Sequence, residues 1–190
     1  MPVVRKRLAR LDEVDWSSLR TAHGTAEHVP AALRALREAE DTASVHEAYW
    51  KLDNYIVLQG TLYESAYFAA PYILDILLSA QRPSGLVAAY DLLIEIACGV
   101  SDPGLPTTVA GPGGPVDLRE ACRTVIASGR SAYAADLRSA DGAVRRRALD
   151  LLTSIDDDPK DLDALLAGID PGDDEEFARL LERARNELEW

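Results

Sequence analysis

The sequence predicts an all-α protein, a short α-solenoid of about four antiparallel helix pairs. Apolar residues recur with the helical period along almost the whole chain, and Gly, Pro and Asp residues interrupt them at intervals. The interrupted helices pair with a period of about 40 residues, which is the length of a helical-repeat unit. No run of period-two alternation is long enough to predict a strand. Because one helix pair cannot bury both of its faces, stacked pairs would supply the core.

Each predicted helix is a series of apolar residues at positions i, i+3 or i+4, and i+7. The series begin at Val29, Val45, Tyr63, Leu86, Leu118, Val144, Leu162 and Phe177, and the one from Leu118 runs unbroken to Leu137. Capping residues precede several of them. Thr25 is expected to cap the first helix, Asp41 or Thr42 the second, and Pro83 opens the fourth.

Length and charge limit the classes of function. The 190 residues fit a single helical-repeat domain, 1–190, with an N-terminal tail at 1–14. The net charge of −12 argues against a nucleic acid or an anionic membrane as partner, and it suits a basic protein. Neither a signal peptide nor a membrane-length apolar run is visible, which predicts a cytoplasmic protein. Cys98 and Cys122 fall at apolar helical positions and are predicted to be reduced core thiols.

The segment 101–115 differs from the rest of the chain. It contains four Pro and four Gly, which predicts a long flexible loop between the second and third helix pairs. Loops of this length inside a compact domain are often functional or disordered. The segment is therefore either a tolerated linker or a binding loop.

A resemblance to a known family rests first on the segment Asp141–Leu152. This segment resembles the second helix of a HEAT repeat, whose pattern is D-x-x-V-R-x-x-A followed by apolar residues. The resemblance implies that Asp141 caps the helix and that Val144, Ala148 and Leu151 face the core. It also implies that Arg145 reaches carboxylates or carbonyls of the neighbouring repeat.

The N-terminal half adds a second resemblance. Trp16, His23-Gly24, Val29-Pro30, the run from Gln59 to Glu64, and Pro71 are similar to a group of bacterial HEAT-repeat proteins. Members of that group commonly have a histidine where this chain has Leu58, so a function that needs that imidazole does not transfer. The resemblance implies a fold and no particular activity.

An aromatic and polar group is the best candidate for a binding site. Its members are Tyr49, Trp50, Asn54, Gln59, Tyr63 and Glu64, with Tyr55 and Tyr67 beside them. Tyr and Trp combine an apolar ring with a hydrogen-bonding tip and are enriched at binding surfaces. The alternative is that Tyr49, Tyr63 and Tyr67 are core residues and that Gln59 stabilises the turn.

Two charged groups lie in the C-terminal half. Ten acidic residues lie between Asp156 and Glu176, and they are either helix caps on a solvated face or a docking patch for a basic protein. The arginines 138 and 145–147 are predicted to pair with carboxylates of adjacent repeats, with a small phosphate-binding patch as the alternative.

The sequence predicts no catalytic residue, cofactor or metal. No nucleophile motif, phosphate loop or dinucleotide fingerprint is present. His23 and His28 are five residues apart across Gly24 and would not share a helix face with Glu27 as metal ligands.

The favoured function is non-catalytic protein binding, as an adaptor or as an acidic immunity-type antidote to a basic protein. The alternative is a small-molecule-binding protein, or an accessory enzyme of a biosynthetic pathway, that uses a groove around Tyr49 and Tyr63. Nucleic-acid binding is the third possibility and the one that the charge least favours.

Overall fold

The computed structural model describes residues 11–80, 83–111, 113–156 and 158–188. Most of these residues are helical, as predicted. The helices are α1 (Val29–Glu38), α2 (Thr42–Ile56), α3 (Glu64–Ser79), α4 (Pro83–Cys98), α5 (Leu118–Ala127), α6 (Arg130–Asp136), α7 (Gly142–Ile155), α8 (Pro159–Ala167) and α9 (Glu175–Leu188). A 3₁₀ turn, Leu11–Glu13, precedes them. The basic residues of the N-terminal tail, and Asp157 of the acidic run, lie outside the described residues.

Aspartate caps begin most of the helices that follow a polar break. Asp41 accepts a hydrogen bond from the backbone N–H of Ser44 at 2.8 Å, and the Ser44 hydroxyl accepts one from the Asp41 N–H. Asp141 and Asp158 also accept backbone hydrogen bonds, at the starts of α7 and α8. The prediction for Thr25 is wrong, because α1 begins at Val29 without a side-chain cap and Thr25 belongs to a short strand.

Short strands connect the helices, which the sequence pattern did not predict. They are β1 (Arg20–Thr21), β2 (Gly24–Thr25), β3 (Val57–Leu58), β4 (Thr61–Leu62), β5 (Val100–Ser101), β6 (Thr108–Gly111) and β7 (Gly114–Asp117). β3 and β4 pair antiparallel, and β5 lies parallel to β4 with Val100 opposite Thr61. Two-residue strands are too short to produce a visible alternation of apolar and polar residues.

The segment 101–115 is only partly a loop. β6 and β7 form an antiparallel hairpin in which Val109 pairs with Val116. Val109 is buried, and the Leu118 N–H donates to the Thr107 carbonyl at 2.8 Å, so the hairpin is attached to the start of α5. The prediction of a wholly flexible loop is therefore wrong for its second half. The proline and glycine content concealed a local backbone pairing.

The apolar series that predicted one fifth helix contains a break at Gly129. The fully buried Tyr133 lies against Gly129 and donates its hydroxyl to the Ile126 carbonyl at 2.9 Å. A Cβ at position 129 would also approach the Leu74 Cδ1 to 2.6 Å. Position 129 therefore requires glycine, and the segment divides into α5 and α6.

The helices pack both within successive pairs and between alternate helices. Within pairs, α1 packs on α2, α3 on α4, and α8 on α9. Between alternate helices, α1 contacts α3, α3 contacts α5, α2 contacts α4, and α7 contacts α9, while α4 contacts α7 across the segment that forms α5 and α6. The buried apolar residues form one cluster from Leu11 to Ala184.

The two cysteines that were predicted to be core residues differ in outcome. Nearer the N-terminus, Trp16 is buried, and its indole N–H donates to the Leu11 carbonyl at 2.7 Å. Cys122 is a buried free thiol, and burial raises its pKa to about 12. Cys98 is also free but exposed, so its prediction as a core residue is wrong. It is the last residue of α4, where its Sγ lies 3.5 Å from the Ser154 hydroxyl.

Arginines of α7 connect it to its neighbours, as predicted. Arg145 bonds the Ser139 carbonyl and the Asp174 carboxylate, the latter at 2.6 Å. Arg146 approaches the same carboxylate at 3.5 Å, and Arg147 pairs with Asp91 of α4 at 2.5 Å. Val144, Ala148 and Leu151 are buried. No helix in the described part of the chain is both long and apolar enough to cross a membrane.

Candidate functional site

A groove of about 470 Å³ lies between α2, α4 and the N-terminal end of α7. Its lining residues are Thr42, Val45, His46, Tyr49, Trp50, Pro83, Ser84, Val87, Ala88, Asp91, Asp141 and Ala143. The walls are mainly apolar, because α2 and α4 turn the edges of their core stripes towards it. The volume lies within the range of about 300–1,000 Å³ that is usual for ligand pockets.

Trp50 forms one wall of this groove and is 44% exposed. Its indole N–H donates to the His46 Nε2 at 2.8 Å, one helical turn earlier. The ring centroid of Tyr49 lies 5.2 Å from that of Trp50, in an edge-to-face arrangement. An exposed aromatic ring that is held by two neighbours is preorganised for binding, because little side-chain entropy remains to be lost.

Tyr49 links the groove to a carboxylate on its own helix. The Tyr49 hydroxyl donates to the Asp53 Oδ1 at 3.1 Å. Partial burial raises the pKa of Tyr49 well above its ordinary value, and the charge of Asp53 adds to the effect. The phenol therefore stays protonated and acts as a fixed donor.

Three carboxylates belong to the two helices that pack against each other here, Asp53 on α2 and Asp91 and Glu95 on α4. Partial burial raises the pKa of all three, and Asp91 and Glu95 are raised further by repulsion from Asp53. Asp150 adds repulsion at Asp91, while Arg147 opposes it. Among the described residues, Arg147 is the basic side chain that is paired with this group. Its single positive charge leaves the group with excess negative charge.

The sequence-based site did not include these carboxylates. A signal for them exists, because Tyr49 and Asp53 are four residues apart, as are Asp91 and Glu95, so that each pair lies on one helix face. What the sequence does not contain is the contact between α2 and α4 that brings the two faces together.

A second groove, of about 690 Å³, lies on the other side of Trp50. His23, His46, Asn54 and Tyr55 line it with Trp50. The Tyr55 ring lies 5.1 Å from His23 and 4.1 Å from His28, between centroids. Burial lowers the pKa of His28. Trp50 and His46 therefore form a ridge between the two grooves.

The structure divides the predicted binding residues into two sets. Tyr49, Trp50 and Asn54 lie together on α2 and line the two grooves. Gln59, Tyr63 and Glu64 are not among the residues that line either groove.

Each residue of the second set has a place in the β3–β4 turn or at the start of α3. Gln59 lies in the turn with a φ of 52°. Tyr63 occupies the N-cap position of α3, and its backbone N–H donates to the Ile56 carbonyl. Glu64 is in the first helical turn, where its negative charge suits the helix dipole. The second set therefore follows the groove residues closely in sequence but does not line either groove.

Two aspartates of the acidic run act as helix caps. Within the acidic run, Asp158 and Asp174 accept backbone hydrogen bonds at the starts of α8 and α9. In the part of the chain that the structure describes, no three His, Cys, Asp or Glu side chains are grouped to hold a metal ion.

Comparison with known protein families, curated proteins and solved structures finds no match to the chain.

Proposed function

We propose that this chain is a short HEAT-like α-solenoid and that it functions as a non-catalytic protein-binding module for a basic partner. The solenoid arrangement is supported by the contacts between successive helix pairs, in which α2 packs on α4, α4 on α7, and α7 on α9. It is further supported by the helix-pair period of about 40 residues and by Arg145, which connects α7 to the start of α9.

The observation that carries the proposal is the position of Trp50. It is the one strongly exposed aromatic side chain among the described residues, and it stands beside an apolar groove whose far end is acidic. Buried aromatic anchors surrounded by polar groups supply most of the binding energy at protein interfaces. The overall charge of −12 and the excess charge around Asp53 favour a basic partner.

An adaptor and an acidic antidote to a basic toxin both fit this description. A cytoplasmic location is part of the proposal, and it accords with Cys98 and Cys122 both being free thiols.

Selection from a displayed peptide library tests the proposal. We expect the chain to enrich peptides with net positive charge, and an enriched peptide to bind in calorimetry. Reversing two charges beside the groove, Asp53→Lys with Glu95→Lys, should abolish that binding. The matched control reverses Glu120 and Asp163 on α5 and α8, which are exposed and lie away from the groove. Failure to enrich any basic peptide, or equal loss in the control, would contradict the proposal.

A small-molecule ligand is the second candidate, because the groove volume of about 470 Å³ is sufficient for one. In that case the ligand site is the groove at Tyr49 and Trp50 and does not extend to Tyr63. Thermal stabilisation by members of a metabolite library, lost in Trp50→Ala, would favour this candidate over the first.

A further inference from the structure

The groove beside Trp50 has apolar walls along most of its length and a carboxylate, Asp91, at one end. Val45 and Trp50 on α2, and Val87 and Ala88 on α4, form walls along it, and Asp91 is the last residue of α4 to line it. From Pro83 to Asp91 the groove follows α4 for about 12 Å, at the helical rise per residue. The groove is therefore apolar along most of its length.

The acidic end continues beyond the groove. Glu95 lies one turn further along α4 than Asp91, and Asp53 lies one turn further along α2 than Tyr49. Asp53 accepts a hydrogen bond at 3.1 Å from the hydroxyl of Tyr49, which lines the groove together with Asp91. A ligand that extends along the apolar walls would therefore reach a region of negative charge.

An occupant that matches this order has an apolar stem and a cationic end. Arginine and lysine side chains have this form, since they bury their methylene groups while the charged end stays with polar partners. The exposed face of Trp50 adds a second attraction, because a cation within about 6 Å of an indole ring is stabilised by the ring quadrupole. The planar guanidinium also stacks on aromatic rings and forms two parallel hydrogen bonds with one carboxylate, which the lysine ammonium cannot do.

We infer that the groove between α2, α4 and α7 takes one long basic side chain of the partner protein. Its stem lies against Val45, Val87 and the Trp50 ring, and its cationic end lies at Asp53 and Asp91. Arginine binds more tightly than lysine there. This inference rests on the proposed function and names the chemical group that the surface recognises.

The preference for a cation follows from the carboxylates at this end of the groove. Asp91 and Asp150 share the single guanidinium of Arg147, at 2.5 and 3.4 Å, while Asp53 accepts its hydrogen bond from the neutral hydroxyl of Tyr49. A second cation would relieve the repulsion between these carboxylates. A negatively charged side chain would add to that repulsion, and a neutral one would leave it unchanged.

Nuclear magnetic resonance titration with blocked amino acids tests the inference directly. The probes are N-acetyl-arginine methylamide, its lysine counterpart and its citrulline counterpart, which has nearly the shape of arginine without the charge. With the arginine probe we expect saturable chemical-shift changes at the Trp50 indole N–H and at the backbone amides of residues 45–53 and 87–91. Lysine should produce weaker shifts at the same positions, and citrulline should produce none that saturate.

Two matched pairs of variants locate the site. Trp50→Ala should weaken arginine binding about fivefold or more, as expected for loss of a cation–aromatic contact. Leu78→Ala, which truncates another side chain of similar exposure on α3, should leave it unchanged. Asp53→Asn should weaken binding, whereas Asp163→Asn should not.

The outcomes separate this inference from the proposed function. Equal shifts with citrulline and arginine, or shifts spread over the acidic surface instead of the groove, would overturn the inference. If a basic library peptide binds the Trp50→Ala variant as tightly as the unaltered chain, the inference fails and the proposed function stands. If the blocked arginine binds in the groove but no peptide does, the groove recognises a guanidinium outside a protein partner. The proposed function then fails, and so does the partner that the inference names.

Discussion

The indole N–H of Trp50 donates a 2.8 Å hydrogen bond to Nε2 of His46, and this bond determines how the exposed ring is held. The two residues are four apart on α2, so their side chains lie one above the other on the same face. The imidazole ring also meets the indole ring edge to face, with 5.7 Å between centroids. Trp50 is therefore oriented by its own helix before any ligand arrives.

Replacing His46 with alanine should loosen the Trp50 ring. The indole N–H then loses its acceptor, and the ring loses its edge contact. We expect a lower heteronuclear NOE at the Trp50 indole nitrogen and weaker binding of the blocked arginine. His23→Ala is the control, because His23 lines the second groove and stacks on Tyr55. An unchanged indole NOE in His46→Ala would show that the bond does not orient the ring.

Mild acid should remove a destabilising effect of the carboxylates at and beyond the acidic end of the groove. Asp53, Asp91 and Glu95 have raised pKa values in the folded state, so their ionised forms are less favourable there than in the unfolded chain. This cost is fully present above the raised pKa values, and it disappears as the pH falls below the unfolded values of about 4.

Asp53→Asn with Glu95→Gln should therefore raise the free energy of unfolding at about pH 7, and the gain should shrink near about pH 4.5. Urea denaturation at both pH values measures it, with Asp163→Asn as the control. A gain that is independent of pH would show that charge is not its cause. The same titration should weaken binding of a basic ligand in mild acid.

The Gln59 backbone is a site where stability can be gained. Gln59 has a φ of 52° and Gly60 a φ of 80°, which is the geometry of a two-residue hairpin turn that favours Asn-Gly. Gln59→Asn should raise the free energy of unfolding by up to about 1 kcal/mol, since asparagine tolerates the left-handed region better than glutamine.

Thermal or urea unfolding measures this gain. Gly60→Ala is the opposite test and should lower stability, because alanine is strained at that φ although nothing crowds its Cβ. A loss of stability in Gln59→Asn would mean that the glutamine side chain makes a contact that outweighs its backbone strain.

Arg145 should be a main link between α7 and α9. Its guanidinium bonds the Ser139 carbonyl and the Asp174 carboxylate and stacks 5.4 Å from the centre of the Phe177 ring. Lysine cannot make both bonds at once, so Arg145→Lys should lower the melting temperature. Protection from hydrogen exchange should fall most in α8 and α9. Arg179→Lys, on the exposed side of α9, is the control and should change little.

Local sequence patterns were sufficient for most of the helices and for their aspartate caps. Asp41, Asp141 and Asp158 were predictable because an N-cap acts on backbone groups two or three residues away. The break at Gly129 was not predictable, because the apolar period continues through it. It results from the Tyr133 ring and the Leu74 side chain of α3, which is distant in sequence.

The candidate site was predictable only in part. Tyr49, Trp50 and Asn54 could be found, since all three lie on one helix and carry the aromatic and polar groups that binding surfaces use. Gln59, Tyr63 and Glu64 follow them closely in sequence, but the turn after α2 directs the chain away from the grooves.

What the sequence by itself determined is the helical class, the position of most helix starts, the acidic charge and the aromatic residues of α2. These depend on interactions within a few residues or on composition alone. Only the tertiary structure decided that α4, which carries Asp91 and Glu95, packs against α2, which carries Asp53, and that Trp50 borders a groove with an acidic end. The reason is physical: the groove and its charge exist between helices, and the packing of α2, α4 and α7 depends on side chains that are distant along the chain.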